Sequence, residues 1–323
     1  MTNRTTNTYT RGLHQVAPGV SAWLLPDGEW GMSNAGLVQG EGESFLVDTL
    51  FDLLLTTEML QAMSGTTGNS PIRAALNTHA NGDHCFGNQL LADDVTIYAT
   101  RDTDHEIHHG TTPERLRMLV TSDFGPVTSP FLRSCFGRFH FEGITLRAAD
   151  VTFEDALTVS VGGRDVELLR LGPAHTAGDA IAFVPDAGVL FTGDLLFIGG
   201  TPIMWAGSLE NWLRACDRMR ALDPTAVVPG HGPLTDLDGI AEMRSYLAHV
   251  KDQIAEGFAA GRPWRETADR MDLDRYASWP QAERIVVTTY QAYRQAAADT
   301  PAEDGIELFG EMAAWQQRHA GKR

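Results

Sequence analysis

Short apolar runs punctuated by glycine, proline and acidic residues recur along this chain, and their spacing predicts alternating strands and helices. The runs at 20–25, 34–38, 44–47, 72–77, 95–98, 166–170, 180–184, 188–192 and 226–228 are bounded by turn residues and read as strands. Helical spacing appears at 53–63, 114–122, 209–221 and 237–256, the last with apolar positions every three to four residues. Elements alternating in this way pack as α/β layers. Two runs invite comparison: SFLVDTLFD (44–52) and VLFTGDLLF (189–197) each carry an apolar strand into an aspartate, Asp48 or Asp194, followed by Leu and Phe. They hint at two related halves. After Gly232 the pattern is helical almost to the end, with a break at GRPW (261–264). Residues 1–232 are expected as the main domain, and 233–323 as a helical extension packed on it, serving as a lid or a dimer contact.

Composition narrows the partners. The chain has 323 residues, 43% of them hydrophobic, enough for a full core. With 25 Lys and Arg against 42 Asp and Glu the net charge is -17, which repels nucleic-acid phosphates and anionic membrane surfaces. Neither is an expected partner. Cys85, Cys135 and Cys216 are too few and too scattered for a disulfide framework, and the polar start MTNRTTNTYTRG lacks the apolar core of a signal peptide. No apolar run approaches a membrane span, so a reducing cytoplasm is the expected location.

Candidate chemistry lies in separate segments. NTHANGDHCFGN (77–88) sets His79, Asn81, Asp83 and His84 close together after an apolar run; His175 lies in GPAHTAGD, Asp194 in FTGD and His231 in VPGHG. A single histidine in a loop is ordinarily a surface or hydrogen-bonding residue. Here each candidate follows a strand-like stretch, which places all of them in loops at one edge of a sheet, where they can face a common cleft. Imidazole nitrogen and carboxylate oxygen bind zinc at about 2.0–2.2 Å, and catalytic sites keep one position for water.

In these residues the chain resembles the metallo-β-lactamase superfamily, whose pattern is His-x-His-x-Asp-His, then His, Asp and His at the ends of later strands. The resemblance runs from about Val20 to Gly232. It implies a four-layer αββα sandwich with metals at one edge, here followed by the helical extension. It further implies a first metal site of His79, the residue at 81 and His175, a second of Asp83, His84 and His231, and Asp194 bridging them. Asn81 departs from the pattern, which usually has histidine there. An amide oxygen is a weaker zinc ligand and prefers harder ions. Three outcomes follow: one zinc ion in the second site, two with the first loosely held, or a manganese or iron centre. Asp48 falls where the family has a buried aspartate supporting the ligand loop; a helix cap before Leu53 is the alternative.

The resemblance also implies a mechanism, in which hydroxide formed at the metal attacks a carbonyl carbon while Asp83 orients the water and shuttles its proton. Hydrolysis of an ester, thioester or lactone is the expected reaction. In the fold the resemblance implies, LLFIGGTPIMWAGS (195–208) lies beside the cleft with Phe197, Ile198 and Trp205, which favours an organic, polyketide-like acyl group on a small molecule or an acyl carrier; core packing with a Gly-Gly turn is the alternative. An iron-dependent oxidoreductase and a metal-assisted cyclase or lyase are the alternative enzymes. Retention of the other six ligand candidates argues against a non-catalytic binding protein. The segment 122–143 is expected as a surface loop, His140 at a substrate rim being the alternative; Cys85 is expected in the core, and His105, His108 and His109 on a solvated helix face.

Overall fold

In the strands, successive side chains point to opposite faces of the sheet, and most of the apolar runs are apolar at every position, so both faces must be covered. The computed structural model describes residues 9–26, 28–297 and 300–320, which leaves the polar stretch 1–8 outside the described residues. Among the described residues the strands form two sheets. The first has seven strands in chain order: β1 (Gly12–Ala17), β2 (Val20–Leu24), β3 (Ala35–Gln39), β4 (Ser44–Val47), β5 (Ile72–Leu76), β6 (Thr96–Thr100) and β7 (Val151–Phe153). The second has five, β8 (Ala156–Val161), β9 (Arg164–Arg170), β10 (Ala180–Val184), β11 (Val189–Phe191) and β12 (Ala226–Val228), again side by side in chain order. Phe45 and Val47 of β4 and Ala180, Ala182 and Val184 of β10 share one core between the sheets. Leu46, Ile181 and Phe183 face the other way and join a larger core with the helices. This is the metallo-β-lactamase sandwich that the resemblance implied.

The two similar runs occupy equivalent places. Strand β4 has an antiparallel neighbour before it and a parallel one after it, and β11 has the same surroundings. Both therefore deliver an aspartate to the same edge of the sandwich.

The helices are α1 (Leu53–Thr67), α2 (Gly82–Cys85), α3 (Arg101–His109), α4 (Pro113–Thr121), α5 (Gly125–Phe136), α6 (Leu209–Ala221), α7 (Leu237–Ala259), α8 (Trp264–Arg270), α9 (Ile285–Ala296) and α10 (Gly305–His319). Helix α1 is capped by Asp52, whose carboxylate accepts from Leu55 N–H, so the cap is not Asp48. Strands β1, β7 and β8 escaped the sequence pattern. Strand β8 alternates exposed and buried positions and turns into β9 through Gly162 and Gly163, both with positive φ. A two-residue turn of that conformation is the tightest hairpin link, and its Gly-Gly signal was legible.

The segment 122–143 is a correction. Instead of a surface loop it contributes α5, which buries Phe131, Leu132, Cys135 and Phe136, followed by buried Phe139 and Phe141 around Phe51. Pro126 and Pro130 mask the helical signal: a first-turn proline costs nothing, and Pro130 forfeits one backbone bond that aromatic burial offsets. His140 is exposed there, away from the cleft, its N–H donating to Asp52. Helix α10 packs on α5 through Phe309, which meets Phe131 and Phe136. The chain after residue 232 thus returns to the edge of the sandwich where the ligand candidates converge. Among the described residues no helix is long and apolar enough to cross a membrane.

Candidate metal centre

Strand ends set the candidates in place. His79, Asn81, Asp83 and His84 follow β5 and start α2; His175 lies between β9 and β10; Asp194 follows β11; His231 follows β12. Ligand atoms of His79, His175 and Asp194 lie within 4.8 Å of one another, as do those of Asp83, His84 and His231. Asp194 reaches both groups. Its Oδ1 is 3.1 Å from His84 Nε2, and its Oδ2 is 3.4 Å from His175 Nε2 and 3.3 Å from His231 Nε2. Gly230 makes room for it, since a Cβ there would lie 2.1 Å from Asp194 Oδ1.

Every imidazole is turned the same way by what its Nδ1 touches. His84 Nδ1 donates to Asp48 Oδ2 at 2.8 Å, His175 Nδ1 to Ile203 O at 2.6 Å and His231 Nδ1 to Met32 O at 3.0 Å. Thr78 Oγ1 donates to Asp48, so it accepts from His79 Nδ1 at 3.1 Å. Each Nε2 is thereby left without a proton and aimed inward in the neutral ring, the arrangement a metal ligand needs. Asp48 is thus a hub for the loop, held in the left-handed region at φ 63, where a carboxylate residue is tolerated better than most.

The electrostatics fit a divalent cation. Asp48, Asp83 and Asp194 are all buried. Burial works against ionisation of Asp194, yet His231, His84 and His79 hold it well below the usual carboxylate range. Burial likewise depresses His79 and His175. It would depress His84 too, but Asp194, Asp48 and Asp83 lift that ring well above its ordinary value, and Asp194 and Asp83 raise His231. Protons on these two rings carry the positive charge the carboxylates demand, and a divalent cation would supply it while releasing them. His79 Nε2, His84 Nε2 and Asp194 Oδ1 are buried with no hydrogen-bond partner among the described residues. Buried polar atoms without partners are uncommon, and here His84 Nε2 lies 3.1 Å from Asp194 Oδ1 while His79 Nε2 lies 3.9 Å from Asp194 Oδ2.

Asn81 enters the same space. Because His175 Nδ1 carries its proton toward Ile203 O, its Nε2 accepts from Asn81 Nδ2 at 2.9 Å. The amide therefore competes with a cation for His175.

The sequence had not singled out two braces of this centre. Asn34 accepts from Leu25 N–H and donates to Pro229 O and Gly232 O, tying the loop before β3 to the loop that carries His231. Asp179 accepts from Ala174 N–H, Thr176 N–H and Thr176 Oγ1, holding the His175 loop closed; the Thr-x-x-Asp spacing within GPAHTAGD was its signal. Burial lifts the Asp179 carboxyl from 3.8 to about 7 against the pull of those donors. The folded chain therefore keeps a proton that the unfolded chain releases, and stability falls as pH rises through this window. We expect Asp179→Asn to flatten that fall, worth at most about 4 kcal/mol, in urea midpoints measured in EDTA at pH 4.5 and 7.5. Equal slopes for the two proteins would refute it.

A cleft of about 480 Å³ opens over the centre, of a size that takes a small organic molecule. Its walls include Trp30, Leu116, Phe136, Phe197, Trp205 and Phe309, with Arg284 among them. Phe197 and Trp205 line the cleft. Ile198 does not line the cleft, because in the extended stretch that bridges to His231 its side chain points opposite to that of Phe197. His105 and His108 are on the solvated face of α3, whereas His109 reaches the mouth of the cleft. Cys85 is buried, and burial pushes its thiol pKa up, which makes it a packing group.

A family model described as the metallo-beta-lactamase superfamily matches residues 28–231. The linear primary-alkylsulfatase of Pseudomonas sp. (strain ATCC 19151) is 25% identical over 237 residues, 64% of this chain and 43% of that protein. The hydroxyacylglutathione hydrolase of Synechococcus sp. (strain JA-3-3Ab) is 29% identical over 150 residues, 46% of this chain and 44% of that protein. The chain thus spans less than half the length of either. Among solved structures, a double mutant of the sec-alkyl sulfatase PisA1 superposes with a TM-score of 0.72 at 17% identity, covering 91% of this chain and 52% of the other. A metallo-beta-lactamase from Pontibacter korlensis gives 0.54 at 19% identity, covering 74% of this chain and 99% of its own. At such identities the likeness is one of fold. Coverage of 91% necessarily takes in most of the helical region after residue 232.

Proposed function

The chain belongs to the metallo-β-lactamase superfamily, and from that membership and the cleft above we propose that it is a metal-dependent hydrolase of an ester, thioester or lactone with an apolar organic body. The observation that carries this reading is the convergence of four inward-facing imidazole Nε2 atoms and two buried carboxylates beneath an aromatic cleft. His79, His175 and Asp194 would hold one cation, and Asp83, His84 and His231 a second, with Asp194 near both. Such a donor set favours zinc; the amide at 81 shifts the first group toward a looser ion or toward manganese or iron. When bound, the cation supplies Lewis acidity that acidifies water and polarises the scissile group.

The chain's own residues do the rest. Burial opposes ionisation of Asp83, but His84 and His231 keep it below the usual carboxylate range, so it is charged at neutral pH. Its Oδ2 lies 3.4 Å from His231 Nε2 at the cleft floor, placed to accept a proton from an attacking water. The histidines serve as fixed ligands, their Nδ1 protons committed to outer partners. Phe197, Trp205 and Phe309 exclude water and hold the organic body of the substrate.

Metal quantification beside ester turnover tests the reading. Protein loaded with zinc or manganese should release acid and 4-nitrophenol from 4-nitrophenyl esters, and acid and thiol from thioester probes, and chelation should abolish this. Metal-independent turnover, or a ring as product in place of a free acid, would sink it. Asn81→His removes the amide that competes for His175 and adds an imidazole. We expect the first group's affinity to rise by about tenfold or more, the lower scale of losing one metal-supporting contact, with stoichiometry moving toward two ions in plasma mass spectrometry. Unchanged content and affinity would show that position 81 does not face the ions.

A further inference from the structure

Arg284 is only 2% exposed, yet it is part of the cleft wall. It comes from the helical region, in the turn Ala282–Arg284 that leads into α9. Its Cζ lies 4.2 Å from the ring centroid of Trp30 and 5.6 Å from that of Phe197, within cation–π range of both. Phe197 in turn stacks on His231, with centroids 5.1 Å apart and planes 4° from parallel. Arg284 therefore stands one ring away from the metal ligands. Nη1 donates to Thr201 O at 3.1 Å, and Nε has no hydrogen-bond partner among the described residues.

Cation–π contact with the two rings offers the guanidinium no hydrogen-bond acceptor. Arginine keeps its proton at any physiological pH, and a buried donor on a permanent cation demands an acceptor. Buried Glu283 is next to it in the chain and tempers the charge, but Nε remains unmet. The planar fork of donors matches a carboxylate or a sulfate better than it matches any neutral group. Asp83 and Asp194 share the cleft and repel anions, so an anionic substrate needs a fixed cation here besides any ion below.

We propose that Arg284 anchors an oxyanion of the substrate, a carboxylate or a sulfate, and that the enzyme selects anionic amphiphilic esters over neutral ones. This rests on the hydrolase reading and adds the substrate class to it. The aromatic walls take the apolar body and Arg284 fixes the charged end, which sets the reacting bond over the ligand residues.

The test compares metal-loaded wild type, Arg284→Gln and Arg284→Lys on matched eight-carbon probes: 4-nitrophenyl octanoate, the mono-4-nitrophenyl ester of suberic acid, and octyl sulfate. Wild type should favour an anionic probe in kcat/KM. In R284Q the anionic-to-neutral ratio should fall about 100-fold, as loss of a charge-assisted hydrogen bond predicts, chiefly through KM, and R284K should restore part of it. Loss confined to the suberate ester assigns a carboxylate anchor; loss confined to octyl sulfate assigns a sulfate. A wild type that prefers the octanoate ester, or an R284Q that loses all three probes alike, overturns the proposal while leaving hydrolysis standing. Should no probe turn over, the hydrolase reading falls, and calorimetry still decides the anchor. Octanoate and octyl sulfate should then bind wild type at least tenfold more tightly than R284Q, equal affinities refuting it.

Discussion

If the proposed hydrolase reading holds, Asp194→Asn should strip the protein of metal and of ester turnover while leaving it folded. The amide matches the carboxylate in shape, so the close approach of Gly230 is untouched. What disappears is the charge that stands 3.1 to 3.9 Å from all four imidazole Nε2 atoms. Both ligand groups depend on it, one directly and the other through His84 and His231. Activity should fall by more than about 100-fold, beyond the upper range for loss of an outer partner of a ligand. Wild-type protein should gain thermal stability as zinc is added, because a ligand that binds only the folded state stabilises it. The variant should gain little. Retained stoichiometry and rate in the variant would mean that Asp194 does not join the two groups.

Asp48→Ala has the largest expected effect on stability. Asp48 accepts from Thr78 N–H at 2.7 Å, Thr78 Oγ1 at 2.8 Å and His84 Nδ1 at 2.8 Å, all in the interior. Alanine leaves those donors without an acceptor, and breaking one partner of a buried charged pair costs about 3–5 kcal/mol. The left-handed backbone at 48 adds strain of about 1–2 kcal/mol for a residue without a polar side chain. Asp48→Asn should lose less, since asparagine tolerates that conformation and still accepts from Thr78. Urea unfolding of metal-free protein measures both. A loss below about 1 kcal/mol for alanine, within the range of an ordinary hydrogen bond, would show that the ligand loop holds itself without Asp48.

Much of this could be read from the chain because the signals are local. Strands such as Ser44–Val47 and Ala180–Val184 carry their own apolar runs and turn residues, and the structure has them at those bounds. Each ligand candidate directly follows such a run, so its place at a strand end follows from the chain alone. Where local signals conflict with packing they mislead. Two prolines and a glycine hid α5, whose stability comes from aromatic burial against α10 and Phe51 rather than from helix propensity. Ile198 was expected beside the cleft along with the whole apolar segment 195–208, whereas the pleat of an extended chain sends neighbours to opposite sides.

The sequence by itself pointed to alternating α/β layers and to the ligand candidates, since both depend on residue type and short-range spacing. The sandwich and the anomaly at Asn81 were legible only through the resemblance to a family pattern with histidine there. Only the tertiary structure decided which way the imidazoles face, that Asn81 bonds His175, and that Trp30, Arg284 and Phe309 meet over one centre. Those contacts join residues far apart in the chain, and they exist only once two sheets and a returning helical region have closed on each other. Spacing along a chain fixes what a strand end carries; the packing of whole layers fixes what it touches.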